Sequence, residues 1–162
     1  MEFYQFDTRF GMMALGEEDG AIIRLYLPNT SAPRMMPHAT PLLEEGAKQI
    51  LEYLSGQRRS FSLPLHPMGT PFQQRVWKAL QDIPFGETRT YRDLAQAAGC
   101  PKGFQAVGQA NRKNPLPILI PCHRVMGSSG ILLGYTGGTA LQRMLLDLEV
   151  NGSCEQGFSL NS

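Results

Sequence analysis

Asn114-Pro115-Leu116-Pro117-Ile118-Leu119-Ile120-Pro121-Cys122-His123-Arg124-Val125 is the most informative stretch of this chain. An Ile-Leu-Ile triplet framed by prolines predicts a short buried strand, Ile118 to Ile120, that delivers Cys122 to its end. Downstream, Gly127-Ser128-Ser129-Gly130 turns the chain, and Gly134-Tyr135-Thr136-Gly137-Gly138 forms a second glycine-rich loop. A last amphipathic helix is expected from Thr139 to Leu148, burying Leu141, Met144, Leu145 and Leu148. Residues 151–162 read as a flexible tail.

Upstream, Thr70 is placed to cap a helix that has Pro71 at its first position. Phe72, Val76, Leu80 and Ile83 form its apolar stripe, and Trp77 reads as core. Thr90 and Asp93 form a capping box that opens a second helix, Tyr91 to Ala98. After the turn Gly99-Cys100-Pro101, a third helix is expected from Gly103 to Arg112. Two short helices across a small-residue turn read as a helix-turn-helix, but such pairs also serve as plain packing units. The proline-bearing connector Leu63 to Gly69 is the expected boundary between residues 1–65 and 66–150. Before it, Phe3–Arg9, Phe10–Leu15 and Ala21–Tyr26 read as a β meander. A proline-rich loop follows, then a helix from Leu42 to Leu54 with Leu43, Ala47, Ile50, Leu51 and Leu54 on its buried face and Gly56 as its stop. The class is α/β (α+β): a small meander-plus-helix domain followed by a helical one.

The 162 residues are 42% hydrophobic and 18% charged, as in a globular protein rather than a disordered one. No apolar run reaches the roughly 20 residues of a membrane span. The first residues lack the basic start and apolar core of a secretory signal. A cytoplasmic monomer with no membrane partner is expected. Net charge is +1, yet residues 1–65 hold six Lys/Arg against eight Asp/Glu, and residues 66–149 hold nine against five. The basic second half suggests an anionic partner there. The three cysteines (Cys100, Cys122, Cys154) and three histidines (His38, His66, His123) show no metal-ligand spacing, so neither metal nor cofactor is expected.

A cysteine reacts as its thiolate, and near neutral pH it needs a base to form one. His123 is adjacent, but neighbouring side chains of an extended segment point opposite ways, so a water bridge is the expected link. Glu149 on the last helix is the candidate acid behind the imidazole. An arbitrary buried cysteine beside a histidine is more often structural than reactive.

The surrounding motifs change that balance. Asn114-Pro115, Ile118-Leu119-Ile120 and Pro121-Cys122-His123-Arg124-Val125 closely resemble the active-site signature of the O6-alkylguanine-DNA alkyltransferases. The resemblance runs from about Thr70 to Glu149 and includes Pro71-Phe72-Gln73, Val76-Trp77, Thr90-Tyr91 and Tyr135-Thr136-Gly137-Gly138; residues 1–65 match only in general layout. It implies a ribonuclease H-like first domain and a winged-helix-like second one. It also implies direct repair, in which O6-alkylguanine, with O4-alkylthymine as a further candidate, is flipped from duplex DNA and its alkyl group moves irreversibly to Cys122. By position, His123 and Glu149 would activate the thiol, and Tyr91 would donate to the departing base. The carbonyls of Cys122 and Val125 would accept from the base, with the Thr136 amide near its O6. Asn114 would be a structural hinge, and Arg124 would hold the active-site loop. Ala106, Gly108 and Ala110 would allow a close approach to the minor groove.

One departure stands out. The family usually carries an arginine finger where this chain has Gln105, and a small residue where it has Phe104. Gln105 keeps hydrogen-bonding capacity but loses charge and reach. Phe104 is either an apolar wedge or, the reading slightly favoured, an interior packing residue. The departure keeps open a sensor of alkylated bases without efficient repair. A cysteine hydrolase and a sequence-specific regulator also stay open.

Overall fold

The computed structural model describes residues 1–28, 30–132 and 134–152. Strands β1 (Glu2–Thr8), β2 (Gly11–Glu18) and β3 (Ala21–Tyr26) form an antiparallel meander in the order β1-β2-β3. Pairs such as Tyr4 with Leu15 and Phe6 with Met13 set the β1-β2 register. Helix α1 (Pro41–Leu54) covers the sheet. Thr40 accepts from the Leu43 amide, and Gly56, at φ 81°, takes the left-handed conformation after its last turn. The helix packs closely at Gly46, where a Cβ would lie 2.9 Å from Leu15 Cδ1 and would displace that methyl. The buried face of α1 is Leu43, Ala47, Ile50, Tyr53 and Leu54. Leu51, expected there, points outward and is exposed. Gly46 and Gln49 are buried as well, so the covered face is rotated towards the side of Tyr53 and away from that of Leu51.

The connector is not a free linker. Ile22 donates to Pro64 O, His66 donates to Ile22 O, and Leu25 donates to Pro115 O. One buried cluster therefore runs from the meander and α1 through to the last helix. Helix α2 (Pro71–Gln81) begins with the Thr70–Gln73 capping box, and α3 (Tyr91–Ala97) with the Thr90–Asp93 box. Helix α4 (Phe104–Arg112) packs on α2 and α3, and buried Trp77 donates from Nε1 to Ala110 O. Two residues of β4 (Arg89–Thr90) pair in parallel with β5 (Val125–Met126). This short ladder sets the start of α3 beside the Cys122 segment.

Residues 118–120 do not form the expected strand. Leu119 donates to Pro117 O and Ile120 to Leu116 O, while Ile118, at φ 71°, occupies the left-handed region that β-branched residues rarely adopt. Prolines at 115, 117 and 121 deprive the stretch of the amide donors a ladder needs. A buried tight turn satisfies the same apolar pattern. Cys122–Arg124 then form one turn of 3-10 helix, and α5 (Thr139–Asn151) ends in the left-handed cap Gly152. Helix α5 thus runs three residues beyond Leu148, and the expected tail beyond Gly152 lies outside the described residues.

Candidate active site

The 3-10 turn, α5, α1 and the loop after α2 converge on one carboxylate. Glu149 Oε2 lies 2.6 Å from His123 Nε2, and it accepts from Tyr53 Oη at 2.5 Å and from Arg124 Nη2 at 3.0 Å. Its Oε1 accepts from Arg124 Nε at 2.8 Å and from the Gly86 amide at 3.1 Å. Burial opposes ionisation of Glu149, but donors from His123, Arg124 and Tyr53 outweigh it and hold the carboxyl down at about 2. Arg124 also donates to Ile83 O at 2.7 Å, so its guanidinium anchors the loop. Phe85 packs beneath the guanidinium and against the Tyr53 ring.

An anionic Glu149 fixes the imidazole tautomer: Nε2 carries the proton and Nδ1 keeps a lone pair. Nδ1 is buried and makes no hydrogen bond among the described residues. Burial pushes His123 below its ordinary value, Glu149 pulls it back up, and Arg124 pushes it down again. Cys122 is 2% exposed, and burial drives its thiol up to about 12, against the opposing pull of the Asn114 side chain and the Cys122 backbone. The resting group is therefore a neutral thiol. Tyr135, buried with an unpaired hydroxyl among the described residues, sits edge-on to His123, and burial raises its phenol, with the negative charge of Glu149 adding to the effect.

Asn114 clamps the preceding turn. Its Nδ2 donates to Ile120 O at 2.9 Å, and its Oδ1 accepts from the Leu116 amide at 3.0 Å. On the outer side, Tyr91, Phe104, Gln105, Gly108, Gln109 and Arg112 line one open groove. Burial raises the Tyr91 phenol, while Arg112 and Asn111 favour its ionised form and Cys122 opposes it.

Residues 71–151 match the family model described as 6-O-methylguanine DNA methyltransferase, DNA binding domain. The chain belongs to that family. A constitutive methylated-DNA–protein-cysteine methyltransferase of Bacillus subtilis is 45% identical over 151 residues, covering 88% of this chain and 92% of that protein. The Mycobacterium tuberculosis enzyme is 40% identical over 146 residues, covering 88% of each. A crystal structure of M. tuberculosis OGT in complex with DNA superposes with a TM-score of 0.88 at 36% identity, over 95% of this chain and 96% of that one.

Within this methyltransferase chain, the structure joins His123 to Glu149, places Cys122 on the same 3-10 turn as His123, and sets Tyr91 on the groove, within electrostatic reach of Cys122. Val125 is buried, and its carbonyl accepts from Gln142 Nε2 at 3.0 Å, as does that of His123 at 3.1 Å. The Cys122 carbonyl accepts from the Val125 amide. Thr136 is exposed and ties its loop to α4 by donating to Arg112 O at 2.9 Å. Ala106 and Gln105 face outward on α4, and Gly108 lies in the groove floor. Ala110 is turned into the core, contrary to its expected place on the outer face, because 107, 110 and 111 share the buried stripe. Phe104 is 49% exposed, which overturns the interior-packing reading. Sequence reading missed Tyr53, Gln142 and the Gly86 amide. Only Tyr53 carried a local signal: three residues after Ile50 it falls on the buried helix face, where a hydroxyl needs a partner.

Proposed function

We propose that the protein repairs duplex DNA directly, transferring the alkyl group of O6-alkylguanine to Cys122 Sγ once per molecule. The observation that carries this reading is the buried Cys122-His123-Glu149 arrangement, whose imidazole offers one hydrogen-bond-free nitrogen among the described residues, in a methyltransferase-family chain. The thiol proton moves through water to His123 Nδ1, and Glu149 stabilises the imidazolium. The sulfur attacks the alkyl carbon as the carbon–oxygen bond breaks and its electron pair passes to the guanine. Tyr91 supplies a proton to the departing base, and the imidazolium proton restores the balance. The thioether has no good leaving group, so the reaction stops at one equivalent. None of these steps calls for a cofactor. Because burial keeps the resting thiol neutral, sulfur becomes strongly nucleophilic only with the relay engaged.

In this reading residues 66–150 form the winged-helix-like DNA-binding and catalytic part, and residues 1–65 a ribonuclease H-like support. The protein acts as a cytoplasmic monomer. The carbonyls of Cys122 and Val125 and the Thr136 amide hold the flipped base, and O4-alkylthymine is a further candidate substrate. Asn114 is the hinge between α4 and the active-site turn. Ala106 and Gly108 let α4 approach the minor groove. Exposed Phe104 and Gln105 together fill the space left by the flipped base, Phe104 as the apolar wedge.

The test is intact-mass measurement after mixing with excess duplex carrying O6-methylguanine. One added methylene per chain, absent in Cys122→Ala, is the expected result. Tight binding without a mass gain would favour the sensor, and repeated turnover a hydrolase. Because Gln105 lacks the charge of a finger, Gln105→Arg should tighten duplex binding roughly threefold to tenfold and steepen its salt dependence by about one ion. Identical titrations of both proteins across a salt series would remove Gln105 from the DNA interface.

A further inference from the structure

The relay contains a member that comes from the other half of the chain. Tyr53 lies on α1, 96 residues from Glu149, and is 1% exposed. Its hydroxyl reaches Glu149 Oε2 at 2.5 Å and His123 Nε2 at 3.3 Å, while its ring is held edge-on to Phe85 and tilted against Phe61. We propose that Tyr53 is a positioning residue of the relay, through which the N-terminal half sets how readily His123 takes the thiol proton. The inference rests on the alkyl-transfer reading of the site.

The hydroxyl has one proton to donate, and the carboxylate is the strong acceptor it reaches. Glu149 Oε2 thus shares its negative charge among Tyr53, His123 and Arg124 Nη2. A carboxylate already hydrogen-bonded by Tyr53 attracts the imidazolium less strongly than one without that donor. Tyr53 therefore keeps His123 less basic than Glu149 alone would make it, and it fixes which oxygen the imidazole meets. The further charged or titratable groups around the imidazole are Arg124 on its own turn, Tyr135 edge-on from the glycine-rich loop, and the preceding Cys122. Arg59 from the segment after α1 lies over the far aromatic neighbour, Phe85. None of these groups changes in a Tyr53→Phe variant, which also keeps both ring contacts.

The experiment compares full-length wild type, Tyr53→Phe and Phe61→Leu in two readouts. One is the single-turnover rate on O6-methylguanine duplex across pH; the second is the titration of the His123 ring nitrogens by NMR. Phe61→Leu loosens the Tyr53 ring packing but keeps the hydroxyl, so it reports a merely structural effect. Tyr53→Phe should move the acid limb of the rate and the His123 titration upward by about one pH unit, which is about a tenfold rate loss on the acid side. Phe61→Leu should lower the Tm and leave both pH curves in place. Superimposable curves for Tyr53→Phe and wild type would overturn the proposal, as would an equal shift in Phe61→Leu. If the wild type gains no methylene, the alkyl-transfer reading falls, and the ring-nitrogen titration still decides whether Tyr53 tunes His123.

Discussion

Glu149→Gln should slow alkyl transfer by roughly a hundredfold or more, the scale on which positioned acid–base groups act. It should also lower stability by about 3–5 kcal/mol, the cost of stripping one partner from a buried ion pair. The side chain of Glu149 is 1% exposed and that of Arg124 is 8% exposed, so neither can turn to water. A glutamine amide would set its own NH2 against the donors of Arg124, His123 or Tyr53 and leave the guanidinium buried without a counter-charge. For a chain of this size the stability loss corresponds to a Tm lower by roughly 6–20 °C. The imidazole would lose the anionic acceptor that stabilises its protonated form, so transfer should stay slow even where the variant is fully folded.

The same substitution has a pH signature. Glu149 has an ordinary value of 4.5 and is held at about 2 in the fold. A depressed carboxyl contributes stability that is complete above 4.5 and is lost as pH falls towards 2; here the full contribution is about 3 kcal/mol. His123, lowered from 6.5 by burial, loses its contribution in the same direction, starting as pH drops through 6.5. Glu149→Gln should therefore remove the carboxyl's own share of the slope below pH 4.5 and deepen the decline that begins near 6.5, because His123 loses the partner that pulls it back up. Denaturant titrations from pH 3 to 8 check this; an acid-side slope equal to that of wild type would place the proton uptake elsewhere.

The parts of this site that were legible in the sequence are those with local causes. Thr70 and Thr90 announce their helices because a capping hydroxyl and its N3 partner lie within one turn. Trp77 was legible as core from helical spacing alone. The Cys122 to Val125 run was legible because its residue types together are specific. The bonds of Tyr53 and Gly86 to Glu149 were not, because they close loops of 96 and 63 residues that no periodicity encodes, although helical spacing does place Tyr53 on a buried face. The turn at Ile118 was misread for a different reason. Apolar triplets look alike whether they lie in a strand or a buried turn, and the positive φ of Ile118 is imposed from outside the triplet.

Asn114 holds that turn together with the Leu119–Pro117 and Ile120–Leu116 backbone bonds, and Asn114→Ala should be the second most damaging change. The amide is 5% exposed and serves two backbone groups of the turn, Ile120 O and the Leu116 amide. Ile120 O keeps the Cys122 amide as a donor at 2.7 Å, but Leu116 N–H would be left buried without a partner. Together with the cavity left by the amide, this should cost about 2–4 kcal/mol. A left-handed β-branched residue stores about 1–3 kcal/mol of backbone strain. Without the clamp, only the backbone bonds of the turn hold Ile118 at positive φ, and the stored strain favours its relaxation towards negative φ. That relaxation would move Cys122, two residues past the turn, relative to His123 and Tyr91, and a misplacement of about 1 Å is enough for about a hundredfold in rate. The Asn114 amide also favours the thiolate, so its loss should leave the thiol still harder to ionise. Asn114→Asp separates the two contributions. It keeps an acceptor for Leu116 N–H but sets a second oxygen against Ile120 O, so it should regain part of the stability and little of the rate. Single-turnover rates and denaturant midpoints for both variants supply the test. Wild-type transfer by a destabilised Asn114→Ala protein would show that the turn holds its shape without the clamp, and would return Asn114 to an ordinary packing role.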